Sequence, residues 1–85
     1  QAQLQQASDN LGHLLLAGGS SWAQVIHLRF YVVGLDAAKR QQLGVWLMQM
    51  YPQEYAPGTT LIGVQALAHP ELLIEIESIS QTTQP

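Results

Sequence analysis

The chain has 85 residues and a mass of 9.3 kDa, room for one domain rather than two. Hydrophobic residues make up 47% and charged residues only 11%, which excludes a charge-rich disordered tail. So small a domain has much surface and few charges to cover it, and we read this shortage as a sign of burial against other chains.

Net charge is −3, and Arg29, Lys39 and Arg40 are the only cations. That argues against nucleic-acid binding through a basic patch, which needs clustered Lys and Arg. With no cysteine there is no disulfide, thiol nucleophile or thiolate metal site. No apolar run approaches the roughly 18 residues that span a bilayer. Gln1 to Asn10 is polar and lacks the basic start of a secretory signal. The sequence does not begin with methionine, so we read it as processed, trimmed or a fragment.

In chain order, residues 3 to about 17 carry Leu4, Ala7, Leu11, Leu14 and Leu15 at helical spacing, which predicts an amphipathic helix. Gly18 and Gly19 end it. Ser21 and Gln24 have capping-box spacing and predict a short turn. Val25 to Val33 is rich in β-branched and aromatic residues and reads as a strand. Ile26, Leu28, Phe30 and Val32 would share one face, with Val25, His27, Arg29, Tyr31 and Val33 on the other.

Asp36 is a good N-cap for a second helix, to about Met50, with Leu43, Trp46, Leu47 and Met50 as its stripe. Pro52 stops that helix, and residues 51 to 58 read as a loop. Strands are expected over 59–67 and 72–80, joined by the hairpin-length link Ala68 to Glu71. Residues 81 to 85 read as a frayed tail. The expected fold class is α+β: a two-layer sandwich with two helices on one face of a mixed sheet. The opposite sheet face has nothing left in this chain to cover it.

Five segments together resemble the Rid family, also called YjgF/YER057c/UK114. They are Asp9-Asn10-Leu11, Ala17 to Ser21, Arg29 to Val33, Pro57 to Val64 and Leu73 to Ile79, in family order. The resemblance implies a chorismate-mutase-like fold, a cytoplasmic homotrimer, and small-molecule pockets in the clefts between subunits. It also implies that residues 1–85 form a single domain lacking the strands that family members carry ahead of the first helix. The best-known members hydrolyse enamines and imines such as 2-aminoacrylate to 2-keto acids and ammonia. Others carry the label of endoribonuclease or translation inhibitor.

Deaminase members hold the substrate carboxylate with an arginine in a Pro-x-Arg-Ser/Thr pattern, a task suited to a bidentate guanidinium. Alignment on Pro57 and Thr60 puts Thr59 at that position, and a shift by one residue puts Gly58 or Thr60 there. None is arginine. The resemblance therefore favours a ligand-binding subgroup, with the deaminase and the ribonuclease as alternatives. It also places Glu75 where the family has a pocket glutamate that positions water. Glu75 and Glu77 alternate with Ile74 and Ile76, a pattern that equally suits a half-solvated strand. Gly58, Thr59 and Thr60 are the candidate ligand-binding residues, and their alternative role is turn and strand chemistry. His13, His27 and His69 lack metal-ligand spacing, so no metal is expected, and no cofactor.

Overall fold

The computed structural model describes residues 2–51 and 56–82. Helix α1 spans Ala2–Ala17, a 3-10 turn Trp22–Gln24, strand β1 Val25–Val33, helix α2 Ala37–Met50, strand β2 Gly58–Val64 and strand β3 Ile74–Ser80. The architecture is the expected α+β sandwich, two helices against a mixed sheet. Of the loop expected over 51–58, residues 52–55, with Pro52, lie outside the described residues, and Gly58 already belongs to β2.

The helix ends follow local chemistry. At the end of α1, Ser20 N–H donates to Leu15 O and Gly19 N–H to Leu16 O. Gly19 has φ +79°, so this is a Schellman closure that needs a residue without a Cβ. Asp36 caps α2, its carboxylate accepting from Lys39 N–H at 2.9 Å. Ser21 also precedes a turn, but its hydroxyl donates to the Gln24 side-chain oxygen rather than capping a backbone N–H.

The strand order is β2-β1-β3. β1 pairs parallel with β2 and antiparallel with β3. This corrects the expected hairpin: β2 and β3 flank β1 and do not pair with each other. The expected strands are also shortened, leaving residues 65–73 as a connection too long for a tight hairpin. The physical reason lies on the core side of the sheet. Ile76 and Ile74 sit beside Phe30 and Val32, an apolar match that burial rewards. The β2 residues beside Leu28, Phe30 and Val32 are Thr59, Leu61 and Gly63, a poorer apolar row. Gln3 holds the connection in place, accepting from Leu73 N–H and donating to Glu71 O, both at 2.7 Å.

A second correction concerns the start of β1. Val25 is buried at 5% exposure, whereas Ile26 is 52% exposed. The register against β3 shifts between Val25 and His27, so Ile26 is the extra residue of a bulge and the inside-outside alternation changes there. In α1, Leu14 faces outward at 69% exposure. The inward stripe is Leu4, Ser8, Leu11 and Leu15, with Ser8 buried because its hydroxyl accepts from the Trp46 indole at 3.2 Å.

The core joins α1, β1 and α2 through Leu4 and Leu15, Leu28, Phe30 and Val32, and Leu43 and Trp46. Trp46 meets Phe30 edge-on at 5.6 Å and Trp22 at 5.7 Å. Tyr51, just past α2, is buried and donates its hydroxyl to Trp22 O at 2.7 Å. Burial pushes its phenol pKa up to about 12. The segment after β3 is tied down at its start: Gln81 N–H donates to Gln24 O, and Gln81 O accepts from the Ser20 hydroxyl. This corrects the frayed tail expected from residue 81, since Gln81 is held at both its N–H and its carbonyl; residues 83–85 lie outside the described residues.

Candidate functional site

Both helices pack on one sheet face, so the chemistry-bearing strand residues collect on the other. Strand alternation sends His27, Arg29 and Tyr31 to that open face. The register then sets their neighbours. Arg29 lies beside Thr60 on β2 and Glu77 on β3, Tyr31 beside Glu75, and His27 beside Gly58 and Ile79.

Two polar groupings result. In the first, His27 Nε2 stands 3.0 Å from Thr60 Oγ1. Gly58 permits this arrangement, since a Cβ there would come within 3.0 Å of His27 Nδ1. In the second, Glu77 Oε1 accepts from Tyr31 OH at 2.9 Å and from Arg29 Nη1 at 3.2 Å. Arg29 Nη1 also reaches Tyr31 OH at 3.5 Å. The contact with Tyr31, and after it the field of Glu77, raises the Arg29 pKa above its ordinary value. The guanidinium therefore stays charged. The Arg29 and Glu77 side chains are 42% and 51% exposed, so water screens their attraction.

A cleft of about 400 Å³ opens at the β3 edge, between Leu11, Ile76 and Ser78 on the helix side and His27, Arg29, Glu77 and Ile79 on the open side. A separate, more apolar cleft of about 260 Å³ lies between the helix starts, over Leu4, Val32 and Leu43. Its cation, Lys39, donates to Val33 O and Gly34 O, both at 3.0 Å, and so serves the β1–α2 turn.

The structure divides the residues singled out from the sequence. Gly58, Thr60 and Glu75 lie on the open face, whereas Thr59 takes the register position of buried Leu28, on the helix side. Thr59 and Thr60 therefore do not form a pair of adjacent hydroxyls. Glu75 is exposed on the same face as Tyr31. The Arg29–Tyr31–Glu77 group was not anticipated. Alternation alone puts Arg29 and Tyr31 together, but Glu77 joins them only through antiparallel pairing of β1 with β3. Among the described residues, no three His, Asp or Glu side chains gather to hold a metal ion, and no helix is long and apolar enough to cross a membrane.

Comparison with known proteins adds family to geometry. The family model described as endoribonuclease L-PSP matches residues 1–82. No curated protein matches by sequence. Among solved structures, the Rid family protein YyfB of Yersinia pestis, of unknown function, is 40% identical with a TM-score of 0.80, over 87% of this chain and 56% of its own. Rv2704 of Mycobacterium tuberculosis, of the YjgF/YER057c/UK114 family, is 30% identical with a TM-score of 0.73, over 85% of this chain and 58% of its own. The yeast protein YEO7, at 19% identity and a TM-score of 0.79, shares the fold, over 92% of this chain and 59% of its own. The chain thus spans less than two thirds of the length of each of these relatives. A family match over nearly all its residues and the likeness to two solved members at 40% and 30% identity place this chain in the endoribonuclease L-PSP family, the Rid/YjgF/UK114 group.

Proposed function

We propose that this chain is part of a Rid-type subunit that assembles as a trimer and binds small metabolites in clefts between subunits. The observation that carries this reading is the sheet covered on one face only. Tyr31, Val33, Ile62 and Val64 on the open face are only half-buried, and Ile79 beside them is exposed. A second subunit would bury this row and bring its own groups to His27, Thr60 and Glu77. Light scattering tests the assembly. A particle of about three chain masses supports it, and a monomer at micromolar concentration overturns it.

The binding reading is favoured over deamination because positions 58, 59 and 60 are Gly, Thr and Thr, with no guanidinium among them. Threonine offers a neutral hydrogen bond where a bidentate charged fork would hold a carboxylate. Glu75 would then line a cleft and hold water or ligand. Hydrolysis of 2-aminoacrylate is the direct assay. Rates no better than buffer fit the binding reading, and turnover restored by Gly58→Arg or Thr59→Arg would identify the missing group. RNA cleavage, suggested by the family's name, has thinner support. Of three cations in the sequence, Lys39 holds backbone carbonyls and Arg29 faces Glu77. A cytoplasmic location accords with this reading.

A further inference from the structure

We propose that the cleft between the starts of α1 and α2 is a binding pocket for an aliphatic carboxylate, formed within one subunit, in which the apolar tail enters the cleft and the head meets the Lys39 ammonium. This pocket lies on the helix side of the sheet, away from the open face, and needs no neighbouring subunit. Its ligand also differs in kind, because an apolar tail supplies most of the contact and the charge only anchors one end.

Three observations carry the pocket. First, it is apolar inside. Its volume is about 260 Å³, and Leu4 from α1, Val32 from β1, Leu43 from α2 and Ile74 from β3 wall it. Leu4, Val32 and Leu43 are at most 8% exposed, so these walls are continuous with the core. Leu73 also lines the cleft but is 46% exposed. A tail lying there covers apolar surface that the fold leaves in water. Second, the pocket has one charge, and it is positive. Lys39 lines it and no carboxylate does. Among the described residues, no acidic side chain stands within ion-pair distance of the Lys39 ammonium. Asp36, three residues before, turns its carboxylate to the Lys39 backbone N–H instead. Third, the ammonium is held in place with a donor to spare. It donates to Val33 O and Gly34 O, both at 3.0 Å. An ammonium has three protons, so one remains for a ligand oxygen. The turn carbonyls already order this side chain, which spares a ligand that entropic cost.

The same features set the ligand class. The walls are Leu, Val and Ile with no aromatic ring, which suits an aliphatic tail. The volume falls short of the roughly 300 Å³ at which pockets for drug-sized ligands begin, so the tail is small, about six carbons. One ammonium with one free proton matches a singly charged head. A phosphate would bring more charge and more oxygens than the site can meet.

Hexanoate is the probe, with hexanamide and acetate as controls, titrated into the full chain and followed by NMR shifts of the backbone amides. Hexanoate should bind, with shifts centred on Leu4, Leu43 and Leu73. Acetate should bind far more weakly, since each methylene lost from the tail costs about threefold to fourfold. Hexanamide should bind several-fold more weakly than hexanoate, and the gap should narrow as salt rises. Lys39→Met should bring hexanoate down to the level of hexanamide. That variant also breaks two bonds to the β1–α2 turn, so the deciding variants leave Lys39 in place. Gln42 is exposed, lines the cleft and sits one helical turn from Lys39. Gln42→Glu should weaken hexanoate several-fold and Gln42→Lys should tighten it, with hexanamide unmoved by either. Opposite signs at one exposed position do not arise from lost stability. The pocket is refuted if hexanoate fails to bind, if it binds no better than hexanamide, or if its shifts centre on His27, Thr60 and Glu77. It is equally refuted if the two Gln42 variants move hexanoate alike or not at all. Each of these failures leaves the open-face reading standing, and a monomer in light scattering leaves the pocket standing, because one subunit completes it.

Discussion

Strand β1 has two sides that obey different rules. On one, Leu28, Phe30 and Val32 are sealed at 4% exposure or less beneath two helices. On the other, His27, Arg29 and Tyr31 keep partial contact with water and hold partners by single hydrogen bonds. The difference teaches where stability and recognition reside in so small a domain. Dense apolar packing fixes the fold from the helix side, and the open side remains available for groups that a core could not accommodate.

The comparison can be tested from its strongest side. Phe30→Ala empties a site that touches Trp46 and should cost about 3–5 kcal/mol in urea unfolding, enough to unfold a marginal domain. Tyr31→Ala, one residue on, should cost much less in the isolated subunit. A loss that depends on protein concentration would show that a neighbouring subunit buries this side too. Equal and concentration-independent losses at the two positions would erase the distinction between the faces.

Tyr51 probes the aromatic edge of the core. Burial raises its pKa to about 12, so the folded state favours the neutral phenol. Its contribution is fully present below the unfolded value of about 10 and is lost as pH rises through about 12. Tyr51→Phe should lose about 1 kcal/mol at neutral pH with the bond to Trp22 O, and should flatten this alkaline limb. Unchanged alkaline melting would remove Tyr51 from that account. Asp36→Ala, at the α2 cap, should also cost about 1 kcal/mol, read as a lower melting temperature with the same cooperativity.

The smallest effect on stability belongs to the open side. Arg29→Met should leave the urea midpoint almost unmoved, because the ion pair it breaks is exposed. A large drop would mean that the group holds the sheet together.

Much of this layout was legible before any coordinates. Helical spacing located α1 and α2, Asp36 announced a cap, and paired glycines marked the end of α1. The misjudged positions share one cause. Ile26 and Leu14 satisfied a local period, yet the β1–β3 bulge and the packing of α1 decided which side they faced. Ser8 is no part of the apolar stripe that spacing defines, and the Trp46 indole supplies the partner that lets it be buried. At the site, alternation grouped Arg29 with Tyr31 and put Thr60 near a strand start. It could not distinguish Glu75 from Glu77, because both lie on one side of β3.

The sequence by itself determined the elements, because periodicity, capping and turn chemistry act over a few residues, and five motif segments in order pointed to the family. Tertiary structure alone decided that β3 crosses to the far side of β1, since pairing between distant strands is won by competing apolar rows. That choice brings Glu77 to Arg29 and Tyr31, across 48 and 46 residues of chain.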